Sequence, residues 1–442
     1  MAKFKTLPLL FSSCMLALPA ASHAFNLLDA WRAAVNYSAD FSAAKHERDA
    51  ESEKKNQARA ELLPQVNANA TYQRQPYSLS SNTKSRGWNV QASQVLFDRT
   101  RFAQYKQGKI AAEMADARLS GSEDELKINV AKAYFDILLN KDKLAAIADE
   151  KAAYSRQLER AQEMFRQGAA TILDTHEAKS GYDAALAKEI DALTQLQVAE
   201  NTLANLTGLD PQQISPVKND KALADLLGES EEREWQALAE RHNPEWQLQR
   251  KTLEDAKQAF KAAKGSRMPT LTVSGGYQDD RNTHRSQDYF GESFDQTYRS
   301  KGGTVNFQLS MPLFSGGKIS SQIREAASRE MQNKDLLTAT ERKVRLAVRQ
   351  AYQTTRSSKI QTLAQQRLLE TNRAKLEATR LGRQVGVRNN LEETQAQQEK
   401  ADAEQKLAEA KYTYIQSYLQ LLQNAGVLND EEKIRKVGML LF

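Results

Sequence analysis

The sequence predicts a mainly α protein with a small β part, in which long antiparallel helical hairpins join four strands of transmembrane type. Three observations predict this fold: two very long helix-forming runs, two pairs of period-two segments, and an internal repeat that relates them. Residues 89–97 (NVQASQVLF) return as residues 306–314 (NFQLSMPLF), and the copies stay aligned over about 80 residues. The chain therefore contains a duplicated unit.

The first 24 residues have the features of a secretory signal peptide. Two lysines precede an apolar run over residues 7–21, and residues 22–24 (SHA) form a small-x-small cleavage site. We expect cleavage before Phe25; an uncleaved anchor and lipid attachment at Cys14 are the alternatives. Because Cys14 is the only cysteine, the mature chain has no disulfide or thiol chemistry.

The repeat divides the chain into five predicted parts. They are the signal peptide 1–24, a first repeat 25–206 (helix, two strands, long helical hairpin), a middle segment 207–243, a second repeat 244–424 of the same order, and a C-terminal tail 425–442.

Composition and the placement of proline predict the helices. The first repeat opens with a helix over residues 27–62, ended by Pro64, and the second with a helix over 244–264. Residues 99–167 contain no proline and are rich in Ala, Glu, Lys, Leu and Gln, as are residues 318–385. At about 1.5 Å per residue, each long run reaches roughly 100 Å, far beyond an ordinary globular helix.

A glycine-centred break follows each long helix and returns the chain into a shorter one. The breaks are residues 166–170 (RQGAA) and 384–388 (QVGVR), and the shorter helices cover 172–206 and 390–424. Their apolar stripes are narrow and rich in alanine. Such stripes fit either a solid coiled-coil rod or a wall wetted on both sides, and the sequence leaves both open.

Two segments of period two precede each long helix. In residues 66–73 and 88–93, and again in 270–277 and 305–311, apolar residues alternate with Asn, Gln, Ser, Thr and Gly. Length near ten residues, a polar second face and interface-type aromatics favour transmembrane strands over a soluble sandwich. The interface aromatics are Tyr72, Tyr77, Trp88 and Tyr277. We expect solvent loops at residues 78–86 and 279–302.

Four strands cannot close a barrel alone. An open sheet edge in lipid leaves backbone groups unpaired, at a cost of several kcal/mol each. A chain that spans a membrane with these strands must therefore associate with other copies.

The ordered set of segments resembles the TolC family of outer-membrane exit ducts over nearly the whole mature chain. The more specific marks are residues 165–168 (FRQG), 172–174 (ILD), 206–211 (LTGLDP) and 313–317 (LFSGG). The resemblance implies a homotrimer whose twelve strands close one β-barrel and whose helices form an α-barrel tunnel about 100 Å long. It implies the outer membrane of a Gram-negative bacterium, with a large periplasmic part.

The resemblance also implies a function and partners. The expected protein is the exit duct of a tripartite export system, carrying proteins or small toxic compounds from an inner-membrane transporter of ABC or RND type. A periplasmic adaptor protein and outer-membrane lipid are the other expected partners. The competing hypothesis is a secreted coiled-coil scaffold or adhesin with a small β-head.

Enzymatic and nucleic-acid functions are disfavoured. The five histidines are scattered without metal-ligand spacing, and neither a phosphate-binding loop nor a nucleophile with an adjacent base is visible, so no cofactor is expected. Although 62 basic residues exceed 56 acidic ones, the two signs alternate along the chain without a Lys/Arg block. This pattern is typical of a solvated surface rather than a nucleic-acid site.

Motif position relative to the family implies a gate at the hairpin tips. Asp174 and Arg388 match a pair that links neighbouring hairpins, and Glu392 matches an acidic ring. Arg383 stands where family members are expected to have a tyrosine, and Gln395 stands where a second acidic ring would be. The alternative for Asp174 and Glu392 is that an acid in the first turn favours the helix dipole, by about 0.3–1 kcal/mol.

Overall fold

The computed structural model describes residues 24–78, 81–217, 223, 226–228, 230–287, 290 and 292–438, so residues 1–23 of the predicted signal peptide lie outside it. The helices are α1 Leu27–Tyr37, α2 Ala39–Ala60, α3 Arg99–Arg166, α4 Ile172–Thr207, α5 Glu232–His242, α6 Pro244–Gly265, α7 Lys318–Gln384, α8 Asn390–Asn424 and α9 Glu431–Gly438, with a 3-10 turn at Pro211–Gln213. The strands are β1 Gln65–Ser78, β2 Ser81–Phe97, β3 Thr270–Gln287 and β4 Ser293–Ser310.

The long helices confirm the prediction to within one residue at each end. Helix α3 has 68 residues and α7 has 67, so each extends for about 100 Å. Asp98 caps α3, because its Oδ1 accepts hydrogen bonds from the backbone N–H groups of Thr100 (2.8 Å) and Arg101 (3.2 Å). Each long helix then packs along the shorter helix that follows it, giving the two predicted hairpins α3–α4 and α7–α8.

The prediction of a single helix over residues 27–62 is wrong at one point, because the chain forms two helices that are separated at Ser38. Ser38 has an extended backbone (ψ 119°), and its Oγ accepts a hydrogen bond from the N–H of Phe41 at 3.3 Å. It therefore ends α1 and caps α2 at once. The predicted middle segment contains a further helix, α5, which the sequence pattern did not reveal.

The four strands form one antiparallel sheet in the order β1-β2-β3-β4, and β1 and β4 are its edges. The solvent loops predicted at residues 78–86 and 279–302 are wrong, because strand pairing continues through most of both segments. These extensions are largely polar on both faces, with Phe294 and Tyr298 as separate aromatics, so no sustained alternation marks them as strands. They are held by cross-strand pairs such as Arg299 with Asp279, at 2.6 Å.

A compact core at mid-length fixes the hairpins to α1 and α5. Trp31, Tyr134 and Tyr414 are almost fully buried in it. Their polar atoms find partners: Trp31 Nε1 donates to the carbonyl of Lys127 at 2.8 Å, and Tyr134 Oη donates to that of Ser215 at 2.7 Å. Burying side chains of this size stabilises the fold by about 1.5–3 kcal/mol each, so this core anchors the two hairpins at one level.

Beyond the core, alanine forms the contact line between the helices. In α4 four buried alanines recur every seven positions, which is the spacing of a coiled-coil seam. They are Ala178, Ala185, Ala192 and Ala199. Larger apolar side chains of α4, including Ile190 and Val198, remain about 60 % exposed on another face. The described helices include none that combines the length and apolar character of a membrane span.

Candidate functional site at the hairpin tips

The two glycine-centred breaks have the same backbone geometry. Gly168 and Gly386 both lie in the left-handed region, with φ of +75° and +78°. The residue after each glycine donates its N–H back into the helix, from Ala169 to the carbonyl of Met164 and from Val387 to that of Gly382. This is the glycine-dependent ending expected of a helix that stops sharply, and it turns the chain toward the returning helix.

A reciprocal cap then starts each returning helix, and two predicted gate residues belong to these caps. Asp174 Oδ2 accepts from the Thr171 N–H (2.8 Å) and hydroxyl (2.7 Å), while Thr171 Oγ1 accepts from the Asp174 N–H. Asn389 and Glu392 form the equivalent box at the start of α8. The hydrogen bonds from Thr171 lower the pKa of Asp174.

Arg388 lies beside Glu392 at the tip of the second hairpin. Its Nη1 donates to Glu392 Oε1 at 2.5 Å, and both side chains are partly exposed. The Asn389 N–H, and after it Arg388, lower the pKa of Glu392. Its carboxylate is therefore charged at neutral pH. The hydrogen bonds that the structure gives Asp174 within the chain go to Thr171, so a link from Asp174 to Arg388 of a neighbouring hairpin stays a prediction.

Arg383 faces inward and forms an ion pair that the motif comparison missed. It contacts Glu393 closely, and Arg380 Nε lies 3.4 Å from the same carboxylate. Arg380 also donates to Gln397 Oε1 at 3.0 Å. The sequence could have indicated this partner, because residues at similar distances before and after a hairpin break lie opposite each other on the two helices. Glu393 is at such a position relative to Arg383.

A cavity of about 80 Å³ lies between the two hairpin tips. Among the residues lining it are Asp174 and Glu177 from the first hairpin, and Arg383 and Glu393 from the second. The structure therefore divides the four predicted gate residues: Asp174 and Arg383 line this cavity, while Arg388 and Glu392 pair with each other outside its lining.

Polar contacts join the two hairpins along their length. Gln157 of α3 donates to Thr394 of α8 next to the cavity. Farther from the tip, Lys188 of α4 lies 3.2 Å from the buried carboxylate of Glu150 and 3.8 Å from Asp402 of α8. A buried carboxylate without a partner is costly, so Lys188 stabilises the α3–α4 hairpin through Glu150, and its contact with Asp402 links that hairpin to α8.

At the other end of the molecule, the predicted aromatics mark a border on one face of the sheet. Directly paired residues share a face, which places Tyr72, Trp88 and Tyr277 on the same side. The rings of Trp88 and Tyr277 have centroids 5.7 Å apart. The side chain of Tyr77 lies outside the described residues.

The two faces of the sheet differ in chemistry. The face with the aromatics carries exposed apolar side chains below them, including Val305, Phe307 and Leu309, each about 70 % exposed. The other face carries Asn, Gln, Ser and Thr, with Asn69 Nδ2 donating to Asn89 Oδ1 at 3.0 Å. No cluster of His, Cys, Asp and Glu suited to a metal ion occurs within the described parts of the chain.

A sheet with one apolar and one polar face, joined to helices about 100 Å long, is the arrangement expected of an outer-membrane channel protein. The chain belongs to the outer membrane efflux protein family, whose sequence pattern matches residues 32–209 and 235–427. This membership shows an outer-membrane location and the general role of an efflux or secretion channel rather than an enzyme.

Individual proteins support the same assignment. The outer membrane protein TolC of Vibrio cholerae is 29% identical over 436 residues, covering 97% of both chains. The proteases secretion protein PrtF of Dickeya chrysanthemi is 28% identical, covering 94% of this chain and 91% of its own. Among solved structures, a membrane protein from Pseudomonas aeruginosa superposes with a TM-score of 0.75 at 19% identity, covering 90% and 93% of the two chains, which shows a shared fold.

Proposed function

We propose that this chain is the outer-membrane exit duct of a tripartite export system. Three copies close a twelve-stranded barrel in the outer membrane, and their hairpins form a tunnel through the periplasm of a Gram-negative cell. The inner-membrane transporter is of ABC or RND type, and a periplasmic adaptor protein connects it to the duct. Cargo consists of proteins or small toxic compounds.

The observation that carries the proposal is the open sheet. Its edges, β1 and β4, have 14 and 18 residues, yet each pairs along only one side. Edges this long are unstable in lipid unless closed, because unpaired backbone groups there cost several kcal/mol each. Pairing β4 of one copy with β1 of the next closes the sheet, and three copies supply twelve strands, an even number within the range of membrane barrels.

The helices support closure by copies in the same way. The exposed apolar side chains of α4, with Ile190 57% and Val198 60% exposed, need a covering surface in an assembly. Helix α7 carries a comparable set, including Ile360, which is 60% exposed. Scattered exposed apolar residues are ordinary, but aligned ones on a helix mark an interaction face. In this proposal the two repeats, residues 25–206 and 244–424, contribute equivalent helical segments to the tunnel wall.

The hairpin tips form the gate in this proposal. Asp174, Arg383, Arg388 and Glu392 all lie there, close to the two glycine breaks. We propose that Arg388 offsets the repulsion among three symmetry-related Glu392 carboxylates and links to Asp174 of an adjoining hairpin. Protein cargo is supported by the similarity to the proteases secretion protein PrtF.

Crosslinking across the open edges tests the assembly. Cysteine at Asn69 in β1 is combined with cysteine at even-numbered positions 302–308 in β4, which lie on the same polar face. In the mature chain, oxidation is expected to give products of two and three chains and none larger. Purified protein in detergent is expected to have the mass of a trimer and to conduct ions across planar bilayers.

A cysteine pair at Asn69 and Asn89 is the matched control, since these residues are hydrogen-bonded neighbours within one chain. It is expected to crosslink only internally. Interchain products that fail to form at every β4 position, together with a monomeric mass in detergent, would show that the duct assembly is wrong.

A further inference from the structure

All the Arg and Lys residues of the four strands lie on one face of the sheet. They are Arg74, Lys84, Arg86, Arg281, Arg285, Arg299 and Lys301, and two carboxylates, Asp279 and Asp295, share their face. Because successive side chains alternate between faces, an even distribution would put about half of the cations on each. The same face carries the interface aromatics and the exposed apolar side chains Val305, Phe307 and Leu309, which we call the apolar band.

Three of these arginines form one row across the sheet. The row contains one residue from each strand in order, Tyr72, Arg86, Arg281 and Arg299, each directly paired with the next. Trp88 and Tyr277 come next toward the apolar band. Aromatic side chains of this kind mark the headgroup level of a membrane. The arginine row therefore lies at the height of lipid headgroups.

Among the described residues, the charges of the row are only partly balanced. Both oxygens of Asp279 are held by Arg299, at 2.9 and 2.6 Å. Arg86 and Arg281 form no ion pair with any of the described residues, although they lie directly opposite each other. Like charges in this position destabilise a sheet, so the arrangement favours an external anion.

The row belongs to the outward-facing end of the sheet. Strands β2 and β4 run from the hairpin turns toward α3 and α7, which the proposed function places in the periplasm. The arginines lie on the turn side of the apolar band, away from those helices. In the proposed duct they are at the outer leaflet.

We propose that this arginine row binds the phosphate groups of the glycolipid of the outer leaflet, lipopolysaccharide. Guanidinium groups bind phosphate oxygens in pairs of parallel hydrogen bonds. With about 4.8 Å between strands, the three arginines extend across roughly 10 Å, enough for more than one phosphate. The inference rests on the proposed function, since it requires strands that cross the outer membrane.

The apolar band below the row selects a lipid over a free anion. Val305, Phe307 and Leu309 lie on the same face as Arg299 and are 74%, 68% and 71% exposed. An amphiphile can therefore place its phosphates on the row and its acyl chains on the band at the same time. Burying acyl methylenes adds favourable free energy to lipid binding, and inorganic phosphate has no acyl chains to bury.

The test compares glycolipid binding by purified detergent-solubilised protein from the full chain. The variant R86Q/R281Q removes the two unpaired arginines and leaves the Arg299–Asp279 pair intact. The control R233Q/R241Q removes two exposed arginines of α5, for an equal change in charge. The probes are purified lipopolysaccharide, the same glycolipid after phosphatase treatment, and inorganic phosphate.

We expect the wild type and the control to bind lipopolysaccharide equally, and R86Q/R281Q to bind it at least about tenfold more weakly. Dephosphorylated glycolipid should bind the wild type as weakly as lipopolysaccharide binds the variant. Equal binding by R86Q/R281Q, or equal binding of dephosphorylated glycolipid, would overturn the inference. Inorganic phosphate that matches lipopolysaccharide in affinity would also overturn it, by showing a site for free anions.

Measuring the mass and conductance of the same preparations distinguishes a failure of this inference from a failure of the proposed function. Trimeric, conducting wild-type protein that shows no preference for lipopolysaccharide refutes the arginine site alone. Protein that is monomeric and non-conducting refutes the duct, and with it the site.

Discussion

Trp88 lies at the border between two environments on one face of the sheet. Toward the helices, the face continues with Val90 and its apolar neighbours; toward the hairpin turn, it continues with Arg86. Directly across from Trp88 on β3 is Asp279, which binds Arg299. In the proposed duct an aromatic ring suits this height, because it tolerates both lipid and headgroups.

The cost of a charge on this face should therefore depend on depth. Phe307 lies within the apolar band and Trp88 lies at its border, so we expect Phe307→Arg to cost about 2–4 kcal/mol and Trp88→Arg about 0–1 kcal/mol. Phe307→Arg should strongly reduce the amount of heat-stable oligomer in the outer membrane, and Trp88→Arg should reduce it little. Quantitative gel analysis of unheated membrane fractions measures both.

Asn306→Arg is the matched control, because Asn306 is the neighbour of Phe307 on the polar face. It should assemble close to wild-type levels. Equal losses for Phe307→Arg and Asn306→Arg would contradict the assignment of the two faces.

At the scale of elements, the hairpins depend on where their helices stop. Gly386 has φ +78°, and a Cβ built on it meets no atom within 4 Å. Any effect of a side chain there is consequently a backbone effect. Gly121 differs in its backbone, because it lies inside helix α3. A Cβ built on it would lie 3.9 Å from Pro244, an ordinary contact distance.

Alanine at these two glycines should therefore change stability in opposite directions. Gly386→Ala forces an L residue into the left-handed region and should cost about 1–2 kcal/mol. Gly121→Ala removes backbone freedom in a helix interior and should add up to about 1 kcal/mol. Thermal denaturation of the purified protein, followed by helical circular dichroism, measures the two shifts. A stabilising Gly386→Ala would contradict the left-handed turn.

The same elements show how far sequence reasoning extends. Propensity and proline placement located the long helices to within a residue, because these signals are local. The break at Ser38 was missed, since a serine within a helical pattern gives no signal unless its cap bond is seen. The outer halves of the strands were missed because both faces are largely polar there and no regular alternation is visible. Glu393 was missed because its partners, Arg380 and Arg383, are on another helix.

At the scale of the whole molecule, a single chain has surfaces that further copies cover in the proposed duct. Its sheet has two open edges, and apolar residues of α4 and α7 remain exposed. The tips carry unlike charges from both hairpins, around Asp174, Arg383 and Glu393. If copies complete the wall, these tips converge, and their charges decide whether the end of the tunnel is open or closed.

The proposed gate can be tested by substitutions at Arg388 and Glu392. In the assembled duct, Arg388→Ser leaves the Glu392 carboxylates without their guanidinium partners, so the tips should separate and single-channel conductance should rise. Glu392→Gln should chiefly weaken cation selectivity. The pKa of Glu392 is lowered, so its carboxylate stays charged at neutral pH. Wild-type selectivity should persist until pH falls below the ordinary glutamate range, then fade through the lowered pKa.

Arg233→Ser is the control for the gate measurement, since Arg233 is an exposed arginine of α5, away from the hairpin tips. It should leave conductance unchanged. Recordings at low and high salt add a second criterion: ions screen exposed charge pairs, so the difference between Arg388→Ser and wild type should shrink as salt rises. Wild-type conductance for Arg388→Ser at both salt concentrations would mean that Arg388 and Glu392 are ordinary charges at a helix end, and that other contacts close the tunnel.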